Sequence, residues 1–164
     1  MIDPKYRAVL ERQRYGIAGN HSAVKTCGWC RKSLRGEGTC YKEKFYGIRA
    51  HRCVQMTPAL LNCNLRCLWC WRAVEFTKAE WGGPVDTPAE IVDACLAAQK
   101  KLLSGFGGYE NTDKQKLAEA EKPLHFAISL IGEPTIYPKL PALVKEIHSR
   151  GMKTFIVTNG TCPE

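Results

Sequence analysis

Two rhythms of apolar positions run along this 164-residue chain, and they divide it near residue 53. Residues 5–15 have the spacing of a short amphipathic helix. Residues 16–50 show neither period, are rich in Gly and basic side chains, and hold little core of their own. They read as an irregular segment that a bound ligand or metal must fix. From Cys53 the pattern changes. Cys53-Val54-Gln55-Met56-Thr57 predicts a strand running toward a cysteine-rich loop. Thr87-Pro88-Ala89-Glu90 has the form of a capping box with Pro at the first helical position, and Ile91, Ala94, Cys95, Ala98 and Leu102 follow at helical spacing as far as Ser104. Residues 109–123 are polar and predict a loop with one helical turn. The apolar run His125–Ile131 predicts a buried strand closed by the turn Gly132-Glu133-Pro134. Leu140–His148 predicts a helix stopped by Gly151, and Lys153–Val157 a further strand feeding Thr158-Asn159-Gly160.

Strands alternating with helices imply parallel βαβ units, and so an α/β fold. In such sheets ligands bind at the carboxyl ends of the strands. The segments 63–70, 132–134 and 158–160 all fall at those ends. The chain therefore divides into a basic segment, 1–52, and an α/β unit, 53–164.

Charge sharpens that boundary. Residues 1–52 hold 12 Lys and Arg against 4 Asp and Glu, while residues 53–164 hold 12 against 12. The entire formal excess of +8 lies in the first segment. There the cations alternate with Tyr6, Tyr15, Trp29, Tyr41, Phe45 and Tyr46, which suits phosphate contacts combined with stacking on unpaired bases. A merely solvated basic face is the alternative. No apolar stretch approaches the roughly 20 residues of a membrane span, and the N-terminus lacks an apolar core of the signal-peptide kind, so the expectation is a cytoplasmic protein without a membrane partner. Nine cysteines, an odd number, then point to thiols that bind metal in a reducing compartment.

Cys63-x3-Cys67-x2-Cys70 is the sharpest motif. Zinc normally takes four ligands in two pairs, whereas three close thiolates on one loop suit a [4Fe–4S] cube with one iron left open. A zinc-binding loop remains the alternative. Farther upstream, Cys27, Cys40 and Cys53 are separated by twelve residues each time. Cys30 falls outside that register and Cys95 sits on an apolar helix face, and neither they nor Cys162 are expected as ligands.

The three-cysteine spacing with Trp69 before its last cysteine, the turn Gly132-Glu133-Pro134 and Thr158-Asn159-Gly160 resemble the radical S-adenosylmethionine (SAM) superfamily. One glycine stands where that superfamily usually has a pair. Cys27-Gly28-Trp29, Tyr41 to Ile48, His51-Arg52-Cys53-Val54-Gln55, Leu68-Trp69-Cys70-Trp71-Arg72 and Ser129 to Pro134 narrow the resemblance to the 4-demethylwyosine synthase family. The resemblance implies two [4Fe–4S] clusters, one on Cys63, Cys67 and Cys70 and one on Cys27, Cys40 and Cys53. It implies SAM bound on the open iron of the first, near Trp69, Gly132, Glu133 and Asn159, where cleavage yields a 5′-deoxyadenosyl radical. It further implies that N1-methylguanosine beside the anticodon of phenylalanine tRNA is built into a tricyclic base with pyruvate. Lys42 matches a lysine proposed to form a Schiff base with pyruvate, and one more phosphate-facing cation is the alternative for it. An external electron-donor protein would be needed. The fold implied is a partial (β/α)6 barrel of the TIM-like kind, of which three parallel strands are only the N-terminal half. Two other functions compete: a non-catalytic zinc-binding RNA module using Cys27, Cys30, Cys40 and Cys53, and a radical SAM activating enzyme for a glycyl-radical protein.

Overall fold

A computed structural model describes residues 2–162. Helix α1 (Pro4–Arg12) is capped by Asp3, whose carboxylate accepts from the Lys5 and Tyr6 N–H groups, and it buries Tyr6 and Leu10. A hairpin, β1 (Gly16–Ala18) and β2 (Ser22–Val24), comes next, then α2 (Gly28–Leu34), α3 (Tyr41–Tyr46) and β3 (Cys53–Thr57). Beyond the cysteine loop lie α4 (Pro88–Leu103), α5 (Lys114–Ala120), β4 (His125–Ile128), α6 (Leu140–Ser149) and β5 (Lys153–Ile156). The expected helix starting at Thr87 is capped as its residues require: the Thr87 hydroxyl accepts from the Glu90 N–H and the Glu90 carboxylate accepts from the Thr87 N–H.

The five strands form one open sheet in the order β1-β2-β3-β4-β5. The β3–β4 and β4–β5 pairs are parallel, with Cys53 opposite His125 and Ala127 opposite Phe155. The β1–β2 and β2–β3 pairs are antiparallel. Segment 16–50 is therefore far more regular than its composition implies. The hairpin covers the β3 edge, and Gly16 lies so close to α4 that an added Cβ would come within 3.1 Å of the Ala98 Cβ. Cys30 and Leu34 of this segment are buried in a small core completed by Leu103 of α4 and Ala120 of α5. The 109–123 region likewise contains a full helix, α5, capped by Asp113.

Alternation along the strands assigns the two sheet faces. Val54, Met56, Phe126 and Ile128 point into the main core with Ile91, Val92, Cys95, Leu143 and Ile147 of α4 and α6. Cys53, Gln55, Ala127 and Ser129 point the other way. No helix of the described residues is long and apolar enough to cross a membrane.

Candidate functional site

Two cavities open on that second face. One, about 320 Å³, lies at the carboxyl ends of β3, β4 and β5 and is lined by Cys63, Cys67, Cys70, Trp69, Arg72, Gly132, Glu133 and Asn159 among others. It thus gathers every residue expected around the first cluster and SAM. The other, about 50 Å³, is lined by Cys27, Cys40, Cys53 and Lys42, with Cys30 and Gln55. Ser129 lines both. A larger cavity of about 550 Å³ includes Tyr6, His21, Phe76 and Trp81 in its wall but no cysteine, so size alone does not mark the chemistry.

Around the first cavity the loop is tied to the strand ends by backbone bonds. The Cys63 N–H donates to the Lys78 carbonyl at 2.9 Å, and the Glu133 N–H to the Asn62 carbonyl at 2.8 Å. Gly132 has φ +81° and passes so near this loop that a Cβ would collide with the Ala59 carbonyl. Only glycine meets both demands there. Asn159 donates its amide to Asn64 Oδ1 at 2.9 Å, linking the β5 end to the cysteine loop.

Glu133 is 1% exposed. Its Oε1 accepts from the Thr135 N–H at 3.1 Å and from the Thr135 and Thr158 hydroxyls at 2.7 Å each, and its Oε2 accepts from the Asn159 N–H at 2.7 Å. Burial alone would raise its carboxyl, but these donors hold it below the ordinary carboxylate range. Glu133 is thereby the clasp between two strand ends. Leu68 and Trp69, by contrast, are 100% and 85% exposed.

In the second cavity the Lys42 ammonium lies over the Phe155 ring, 3.4 Å from its centroid. Burial pushes the Cys53 thiol up to about 11 against the opposing pull of the Lys42 charge. Cys30 is buried too, its thiol pushed up to about 12, and its Sγ faces the His51 carbonyl at 3.7 Å. Among the described residues no three His, Cys, Asp or Glu side chains converge on a single metal ion. A cube makes a different demand, because each thiolate binds its own iron and the sulfurs stay apart. Three thiols around a common cavity fit that donor set. Cys95 is wholly buried in the main core, as expected, and Cys162 lines neither cavity.

Sequence reasoning gave no site role to Arg72, Ser129 or Phe155, the first two entering only within segments that carry the resemblance. Arg72 followed the cysteine motif closely enough to draw notice, whereas the other two become visible only once β4 and β5 are in register.

Fold and site together define an α/β protein that gathers two groups of three cysteines around a mixed sheet in which β3, β4 and β5 run parallel. Comparison with known proteins makes the relationship specific. The chain is 53% identical over 163 residues to the S-adenosyl-L-methionine-dependent tRNA 4-demethylwyosine synthase of Pyrococcus horikoshii, covering 98% of this chain and 48% of that protein. It is 43% identical over 165 residues to the Arabidopsis thaliana protein of the same name, covering 100% of this chain and 25% of that one. A solved structure of TYW1 with a lysine–pyruvate adduct bound superposes with TM-score 0.85 at 42% identity, over 98% of this chain and 52% of that one. No protein-family model matches. Over nearly its whole length the chain is thus a relative of the tRNA 4-demethylwyosine synthases, which are enzymes, and it spans about half the length of the archaeal relative.

Proposed function

We propose that this chain carries the cluster-binding and pyruvate-binding part of a radical SAM enzyme that converts N1-methylguanosine next to the anticodon of tRNA-Phe to 4-demethylwyosine. The observation that carries the reading is the placement of Lys42 in one cavity with Cys27, Cys40 and Cys53, sharing Ser129 with the cavity of Cys63, Cys67 and Cys70. A relative holding a lysine–pyruvate adduct supports the same role for Lys42. The sheet is then the first part of a partial (β/α)6 barrel.

When bound, a [4Fe–4S] cluster with SAM supplies a carbon-centred radical able to take hydrogen from the base's N-methyl group. The chain's residues do the rest of the positioning. Cys63, Cys67 and Cys70 hold that cluster, and Cys27, Cys40 and Cys53 hold a second. Gly132 lets the turn after β4 pass against the cysteine loop, Glu133 and Asn159 fix the strand ends around the cavity that would hold SAM, and Trp69 offers an indole at the cavity mouth. The Lys42 amine adds to the pyruvate ketone and expels water, forming an imine that fixes the three-carbon unit beside the second cluster. The exposed aromatics and cations of residues 1–52 contact the tRNA. A four-thiol zinc site in this place is disfavoured by Cys30, whose buried thiol is turned to a backbone carbonyl.

Borohydride reduction with labelled pyruvate tests the reading, in a chain extended to the length of its archaeal relatives. Label should appear on Lys42 of the wild type and be absent from Lys42→Arg, which keeps the charge but cannot form an imine. Product formation by Lys42→Arg at the wild-type rate, with no label on wild type, would refute it.

A further inference from the structure

Arg72 is 7% exposed and lines the three-cysteine cavity. Its Nη2 donates to the Leu65 carbonyl at 2.6 Å, while its Nε is buried and has no partner in the protein. None of the ion pairs among the described residues involves it. An arginine keeps its charge at any physiological pH, and a buried charge without a counter-ion costs several kcal/mol. One carbonyl contact satisfies one of five N–H donors and neutralises nothing. Glu133 lines the same cavity, but its carboxylate oxygens are taken up by Thr135, Thr158 and Asn159 and it makes no ion pair with Arg72, so the groups left to balance the guanidinium are the three thiols of the loop.

We propose that Arg72 is the built-in counter-charge of the three-cysteine site, balancing the thiolate-ligated cluster and raising its reduction potential. The inference rests on the functional reading above. Thiolates bound to iron carry negative charge, so a loaded cluster places anionic groups in the wall beside the fixed guanidinium. Taking one electron from a low-potential protein donor makes that cluster one charge more negative. A neighbouring cation therefore favours the reduced form. Arg72 acts through the cluster and is a positioning residue rather than a catalytic one.

The test uses reconstituted full-length protein and an EPR-monitored redox titration, following the signal that SAM perturbs so that only the loop cluster is read. Arg72→Met should lower the reduced-to-oxidised ratio at fixed potential about tenfold, equivalent to about 59 mV for one electron. Arg72→Lys, which keeps the charge, should shift it by less than half as much. In iron-free protein Arg72→Met should unfold at the same urea midpoint as wild type or a higher one, since it removes an unbalanced charge. An unchanged potential in Arg72→Met, or equal losses of stability with and without iron, would make Arg72 a simple latch on Leu65 and overturn the proposal. If wild type loads no cluster on this loop, the functional reading falls and this inference with it. If wild type loads normally and only the variants fail to respond, the inference alone falls.

Discussion

Replacing Gly132 with Ala should destabilise the fold far more than the same change at Gly151, although both glycines have similar left-handed backbones, φ +81° and +75°. An L-residue in that region costs about 1–2 kcal/mol. Reduced freedom of the unfolded chain offsets about 0.4–1 kcal/mol of this. At Gly151 nothing lies within 4 Å of the added Cβ, so the net cost stays near about 1 kcal/mol. At Gly132 the Cβ runs into the Ala59 carbonyl oxygen and comes within 2.9 Å of the Asn62 oxygen. Both are backbone atoms, and the Asn62 carbonyl already accepts from the Glu133 N–H. No rotamer change can relieve the contact, so overpacking adds about 1–3 kcal/mol. Urea unfolding should place Gly132→Ala about 2 kcal/mol below Gly151→Ala, a roughly thirtyfold difference in the unfolding constant. If the two variants agree within about 0.5 kcal/mol, the close approach of this turn to the cysteine loop is not what fixes it.

Glu133→Gln should cost about 2–3 kcal/mol at neutral pH, because an amide NH2 replaces one of the two carboxylate oxygens and sets a donor against either the Asn159 N–H at Oε2 or the Thr135 and Thr158 donors at Oε1. The folded carboxyl lies below its ordinary value of 4.5, so its contribution is present above that value and is lost as pH falls through the lower folded one. Acid unfolding curves should therefore be flatter below pH 4.5 in the variant, and parallel curves would contradict the clasp. Neutralising exposed Arg31, Lys32 and Lys44 together should reduce the salt slope of tRNA binding by roughly two, given about 0.7 per contact with unpaired RNA. Filter binding across salt concentrations would expose a merely solvated face as an unchanged slope. Changing Cys63, Cys67 and Cys70 to Ala should remove about half of the reconstituted iron and all SAM cleavage, as iron and sulfide analysis and methionine release would report.

The parallel strands and the two long helices were legible because each carries a period or a cap that no other element could share. Thr87 with Glu90 is the clearest case, and the parallel direction of β3, β4 and β5 follows from the βαβ units they bound. The β1–β2 hairpin was not legible. Each strand is three residues long, and Gly16, Ala18, Ser22 and Ala23 are small, chosen by contact with α4 and the core rather than by alternation. Helices α2 and α5 are seven residues each, too short for a period to emerge from polar sequence. The cysteine motif located the first cavity, but it could not reveal that Glu133 faces inward or that Arg72 is buried, since both depend on partners far along the chain. The family resemblance named three thiols of the second cavity, and their twelve-residue spacing could not place them. Their convergence depends on α2, α3 and β3 meeting on one sheet face.

That face turns β3 into a ruler. Cys53 begins the strand in the wall of one cavity, and Thr57 ends it in the wall of the other. Four residues of extended chain span about 13 Å, so whatever passes between the two chambers travels a path set by strand geometry rather than by loop motion. The measure is also unforgiving. One residue inserted between Cys53 and Thr57 would turn Cys53 toward α4 while leaving Thr57 in place, separating one thiol from its partners without shortening the sheet.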